Sequence, residues 1–119
     1  MNIKALVIFL CIGLAGCTSV SPGGYYWGKY SYTYHDLLKA PGEATKAAHE
    51  ATLQDIITKS KEKNLRTPPG IHAELGNLLS NAGRNDEAVA QYQAERDLYP
   101  ESAVFLQRLL VKQKPGVEK

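Results

Sequence analysis

Residues Pro69–Pro100, PGIHAELGNLLSNAGRNDEAVAQYQAERDLYP, decide the fold. Ile71, Leu75, Leu78, Leu79 and Ala82 recur at the spacing of one helical face, so the first half predicts a helix. Gly83 supplies a left-handed residue that stops this helix, and Asn85 is a suitable cap for the next. Asp86 and Glu87 fill the first turn of that second helix, where the macrodipole favours negative charge. Ala88, Tyr92 and Tyr99 then share a stripe, with Val89 on its flank. Pro100 closes the stretch, because the residue before a proline is driven out of the helical region. Two antiparallel helices joined at Gly83 are expected.

This hairpin resembles a tetratricopeptide repeat, whose signature is a set of small and large residues at fixed offsets within a period of about 34 residues. Leu75-Gly76, Leu79, Gly83, Ala88, Tyr92 and Pro100 match the pattern. The resemblance implies a tight helix crossing in which Gly76 and Ala88 lack bulk while Leu79 and Tyr92 fill the space beside them. Two positions depart: His72 stands where the repeat has a large aromatic, and Glu95 where it has a second small residue. Glu95 falls inside the stripe of Ala88, Tyr92 and Tyr99, and a buried carboxylate must be hydrogen-bonded or paired. A structural latch is expected there. Its partner is His72 on the facing helix, a tyrosine hydroxyl from the N-terminal segment, or Arg108.

Moving toward the N-terminus, Arg66-Thr67-Pro68-Pro69-Gly70 reads as a stiff connector. Glu43 to about Asn64 is a long helical pattern, with Ala44, Ala47, Ala48 and Ala51 marking one face that Leu53, Ile56 and Ile57 continue. Lys59, Lys61 and Lys63 crowd the end of this helix, where cations complement the dipole and a solvated end is expected. Pro41-Gly42 breaks a preceding helical turn at His35–Lys39.

Upstream lies the most unusual composition in the chain. Tyr25 to Tyr34 hold five of the seven tyrosines and the only tryptophan. Tyr30, Tyr32 and Tyr34 alternate with Ser31 and Thr33, which predicts an extended segment with one aromatic face. Three readings stay open. The segment completes a small core; or Tyr25, Tyr26 and Trp27 sit in a lipid headgroup layer, where amphipathic rings are favoured; or the aromatics bind a partner protein or glycan.

Beyond Pro100, Ser102 can cap a last helix that runs to about Gln113 and carries Val104, Phe105, Leu106, Leu109, Leu110 and Val111. That is more apolar surface than one hairpin covers, and a terminal repeat helix is ordinarily polar outside. Phe105 and Leu109 therefore join Tyr25, Tyr26, Trp27, Tyr30, Tyr32 and Tyr34 as candidate binding residues.

Residues 1–16 read as a targeting segment, with Lys4 for its positive start and Ala5–Leu14 for its apolar run. That run is short for a membrane span, which needs about 20 residues. Leu14-Ala15-Gly16-Cys17 resembles a bacterial lipobox, which implies that Cys17 is lipidated and anchors the mature chain to a membrane. Residues 17–24 then form a tether, 25–114 a small helical-repeat domain, and 115–119 a frayed tail. Cys11 lies in the removed segment, so the mature chain holds no cysteine pair for a disulfide.

The 119 residues are 44% hydrophobic with a formal net charge of +2, and without Lys4 the charges nearly balance. Neither a disordered chain nor a nucleic-acid binder is expected. His35, His49 and His72 stand apart, with no second ligand at metal spacing. His72-Ala73-Glu74 matches half of a zinc-deaminase signature but lacks the cysteine pair. No serine has a positioned base. The sequence predicts no catalytic residue, metal, cofactor or small-molecule substrate.

The whole chain resembles an uncharacterised family of small Gram-negative tetratricopeptide-like outer-membrane lipoproteins. The resemblance is carried by LAGC, the YYWG-x-Y segment, PPGIHAELG, and the YPES-x-x-F turn at Tyr99–Phe105. Such families tend to be encoded beside a curli-secretion-channel-like lipoprotein. This implies lipid anchoring at the outer membrane, more on its periplasmic face than the cell surface, and a place in an export or surface-assembly apparatus. The expected fold is all-α: a tetratricopeptide-like hairpin flanked by two further helices, with the extended aromatic segment before them. The expected function is that of an adaptor binding another envelope protein or lipoprotein. A peptidoglycan-binding module using the aromatic segment is the alternative.

Overall fold

The computed structural model describes residues 24–112. Cys17, the targeting segment, most of the tether and the expected C-terminal tail lie outside them. The described chain is all-α, with five α-helices: α1 Tyr30–Lys39, α2 Glu43–Glu62, α3 Ile71–Asn81, α4 Asn85–Leu98 and α5 Ala103–Lys112. A single 3-10 turn at Pro100–Ser102 joins the last two.

The expected hairpin is α3 and α4. Leu75, Leu79 and Ile71 of α3 are buried against Ala88 and Tyr92 of α4, and Leu53 and Ile56 of α2 and Leu106 of α5 complete the core. The turn is a Schellman closure. Gly83 takes φ +76°, its N–H bonds to the Ser80 carbonyl at 3.0 Å, and the Arg84 N–H bonds to the Leu79 carbonyl at 2.9 Å. Arg84 rather than Asn85 occupies the cap position and makes no side-chain cap. Its guanidinium instead bridges Glu50 of α2 and Glu87 of α4, each at 2.7 Å. Asn85 is simply the first helical residue.

Gly76 earns its place through Tyr92. A Cβ at position 76 would stand 2.5 Å from Tyr92 Cε1 and 2.7 Å from Cδ1, so the aromatic ring lies directly over the bare backbone. It is Tyr92, rather than Ala88, that makes the closest approach to this glycine.

Four expectations are corrected. The segment from Tyr30 onward is a helix, not extended. Tyr30 and Tyr34 satisfy a two-residue period and a four-residue one equally; Thr33 and Leu37, half-buried with Tyr30, settle the matter at helical spacing. Tyr32 points away and is 74% exposed. Three helices, not two, therefore flank the hairpin. In α2 the buried stripe is His49, Thr52, Leu53, Ile56 and Ser60, while Ala44, Ala47, Ala48 and Ala51 are exposed. Polar residues at core positions concealed this face. Finally, the Ser102 hydroxyl donates back to the Tyr99 carbonyl at 2.6 Å, into the preceding turn and not onto α5.

Gly76→Ala is expected to destabilise the chain by about 1–3 kcal/mol, the usual range for overpacking a filled core. Thermal melting would register this as a fall of several degrees or more. An unchanged midpoint would contradict the Gly76–Tyr92 packing.

Candidate functional site

The polar heart of the molecule lies where α1, α2 and α3 meet. His49 of α2 is fully buried and uses both ring nitrogens. Nδ1 lies 2.8 Å from the Thr33 hydroxyl of α1, and Nε2 lies 2.7 Å from Oε1 of Glu74. The Tyr30 hydroxyl donates to the other Glu74 oxygen at 2.7 Å. A carboxylate only accepts, so Nε2 donates to Glu74, and with the ring neutral Nδ1 accepts from the Thr33 hydroxyl. Glu74 is placed for this by its position in the first turn of α3, where negative charge is favoured.

The rings around this network are packed on one another. Tyr30 and Tyr34 stack at 5.6 Å with a 10° interplanar angle, as residues four apart on a helix can. Both tilt against the His49 ring, at 5.4 and 5.7 Å. Trp27 meets Tyr30 edge-on at 5.6 Å and Tyr25 at 6.4 Å. Gly28, at φ +49°, turns the chain from Trp27 into α1, and the Tyr26 ring closes over it at 3.3 Å from where a Cβ would stand.

The aromatic cluster continues to the far end of α2 and the connector. The Tyr26 hydroxyl reaches Asp55 at 3.3 Å, and the Lys63 ammonium lies 5.8 Å from the Tyr26 ring centre. Tyr99 donates to the Thr67 carbonyl at 2.7 Å, with the Tyr25 hydroxyl 3.4 Å from its own. The Arg66 guanidinium covers the Tyr99 ring at 5.1 Å. Lys61 and Lys63 are exposed, as expected of this helix end, and Lys63 also faces the Tyr26 ring.

The expected Glu95–His72 latch does not form. Glu95 is buried, but Oε1 accepts the backbone N–H of Gly70 at 2.7 Å, at the head of α3, and Oε2 has no partner. His72 Nδ1 instead lies 2.7 Å from Gln91 Oε1. A backbone amide is the better partner here: the N-terminus of α3 offers unpaired N–H groups and a favourable dipole to a carboxylate. Arg108 is not involved.

Of the other expected binding residues, Tyr25 and Trp27 are 44% and 45% exposed, Tyr34 40% and Phe105 59%. Tyr26, Tyr30 and Leu109 are half-buried against the core. The residues missed by sequence reading are Thr33, His49 and Glu74. They come from three helices and carry no short-range spacing, so only their polarity inside otherwise apolar faces marks them.

Chemically, a hydroxyl, an imidazole and a carboxylate in line have the members of a proton relay. The imidazole is enclosed, however, and the Thr33 oxygen is spent on it, with backbone carbonyls of Lys29 and Tyr30 at 3.4 Å. The relay is built as a joint between helices. Elsewhere a groove of about 430 Å³ lies between α2 and α3, lined by Glu43, Lys46, Ala47, Glu50, Leu78, Asn81 and Ala82. Its Lys46 and Glu50 are already paired, with Glu43 and Arg84 respectively. No group of three potential metal ligands occurs among the described residues, nor is any described helix long and apolar enough to cross a membrane.

Removing Glu74 strands the fully buried His49 N–H, at a cost of about 1–3 kcal/mol, and leaves the half-buried Tyr30 hydroxyl without its partner at a smaller cost. In Glu74→Ala, hydrogen exchange is expected to quicken across Tyr30–Lys39 while the α3–α4 hairpin keeps its protection. Uniform protection in both elements would contradict the joint.

Burial pushes the Tyr30 phenol above its ordinary value of 10.0, with the bonded Glu74 carboxylate adding to the shift. Burial likewise raises Tyr92 and Tyr99. The folded chain keeps these protons where an unfolded chain releases them, so the stability present below pH 10 is lost as pH rises beyond it. Ultraviolet titration should therefore find these three phenols ionising together with alkaline loss of helix. Their ionisation in a chain that stays fully helical would overturn the assignment.

Residues 25–109 match the model of a domain of unknown function, DUF4810, and the chain belongs to that family. No curated protein and no solved structure matches it.

Proposed function

We propose that this protein is a lipid-anchored helical adaptor of the Gram-negative envelope. Cys17 is its acylation site, the periplasmic face of the outer membrane its location, and another envelope protein of an export or surface-assembly apparatus its partner. The observation that carries the reading is the outer side of α5. This helix docks through Leu106, yet leaves Val104 72% and Phe105 59% exposed beside it. Large apolar side chains presented on one side of a terminal helix are an interface feature, and an aromatic among them is a characteristic binding anchor. On α1, Tyr32 and Leu38 are also exposed, but six residues apart they point to different sides of the helix.

The peptidoglycan alternative draws less support. A sugar site of this kind uses several rings together, whereas Tyr30 and Tyr34 stack on one another, Trp27 meets Tyr30 edge-on, and the most exposed ring, Tyr32, points away from them.

A photo-crosslinking side chain placed at Phe105 in cells should capture one stoichiometric protein. The capture should disappear when Val104→Asp accompanies the probe. Because position 104 is exposed, this substitution should move stability by no more than about 0.5 kcal/mol. Adducts confined to lipid or to abundant bystanders would sink the adaptor reading.

A further inference from the structure

We propose that the end of the domain carrying Tyr25, Tyr26 and Trp27 lies on an anionic phospholipid bilayer, with Lys63 and Arg66 meeting its phosphates. In sequence Trp27 and Lys63 are 36 residues apart; the fold brings the aromatic segment and the basic cluster onto one surface. Lys63 sits over the Tyr26 ring and Arg66 over the Tyr99 ring, with Tyr25 touching Tyr99. Lys63 and Arg66 are exposed and make no ion pair among the described residues. Lys59 is at the same end, held to Glu62 at 3.0 Å, and Asp55 takes the Tyr26 hydroxyl. With both acids counted, the patch remains cationic.

This combination fits a bilayer better than a protein. Half-exposed tyrosine and tryptophan rings suit the headgroup layer, where one edge is apolar and the other wet. Lys63, along the Tyr26 ring, and Arg66, over the buried Tyr99 ring, can extend their charged ends to phosphate while their stems stay covered. Chain length points the same way. On the reading of Cys17 as the anchor, only Thr18–Gly23 separate it from the first described residue. At about 3.4 Å per residue a link of this length spans no more than roughly 25 Å. The surface at which the chain enters the domain is therefore held near the membrane, and it is the one bearing these rings and cations.

A chain starting at Thr18 keeps all of the described residues, 24–112, and lacks the acylation site. Trp27 is the only tryptophan and reports directly. With phosphatidylglycerol-containing vesicles its emission should shift to the blue, and added salt should reverse the shift. Vesicles of phosphatidylcholine alone should leave it unchanged. Lys63→Glu with Arg66→Glu should weaken the partition by roughly five-fold for each cation removed, or more. Unchanged emission with anionic vesicles, or equal response to both lipids, overturns the proposal.

Should the double variant lose helix, the natural chain serves instead. Purified from membranes and reconstituted with brominated phosphatidylglycerol, it should show Trp27 strongly quenched; an unquenched Trp27 overturns the membrane face. Mass analysis of Cys17 in the same preparation reads the anchor separately. An acylated Cys17 with unquenched Trp27 defeats this inference alone, and quenching without acylation defeats the anchor alone.

Discussion

Tyr92 needs the space that any side chain at position 76 would take. That one steric condition sets how closely α3 and α4 approach, and much of the core follows from it. With the ring seated over Gly76, Leu75 and Leu79 can pack beside it, and Ala88 is buried on the same helix as the tyrosine. The two ends of the hairpin are then fastened differently. At one end Gly83 closes the turn through backbone bonds alone. At the other, the Glu95 carboxylate reaches the Gly70 amide and ties the last part of α4 to the beginning of α3. A carboxylate inside an otherwise apolar stripe is tolerable because it meets a helix N-terminus.

How much of this could be read from the residues depended on whether the stabilising contacts were local. The hairpin was legible because α3 repeats its apolar residues at helical spacing and Gly83 marks the stop. The α2 core face was not, since His49, Thr52 and Ser60 occupy positions that periodicity assigns to apolar side chains. The tyrosine segment misled for a different reason: Tyr30 and Tyr34 fit two periods, and only the burial of Thr33 and Leu37 chooses between them. The Glu95 partner escaped because backbone amides are common to every residue and leave no trace in the choice of side chain. The site shared by Thr33, His49 and Glu74 required three helices to be assembled first.

The functional surfaces divide along the same lines. The buried network joins α1 to the rest of the domain and leaves its chemistry enclosed. What the chain offers outward is apolar on α5 and α1, and aromatic with cations around Tyr25, Trp27, Lys63 and Arg66. Membership of the DUF4810 family covers this whole arrangement, from Tyr25 through Leu109.

The joint at His49 has a mechanical meaning. In a chain held from its N-terminal side and tugged through a partner on α5, tension enters α1 before it reaches the hairpin. α1 has no fully buried residue of its own and leans on Thr33, Tyr30 and their hydrogen bonds. The hairpin, in contrast, is interlocked by close-packed side chains. Load applied in this way would therefore part α1 from α2 first and leave the α3–α4 hairpin intact.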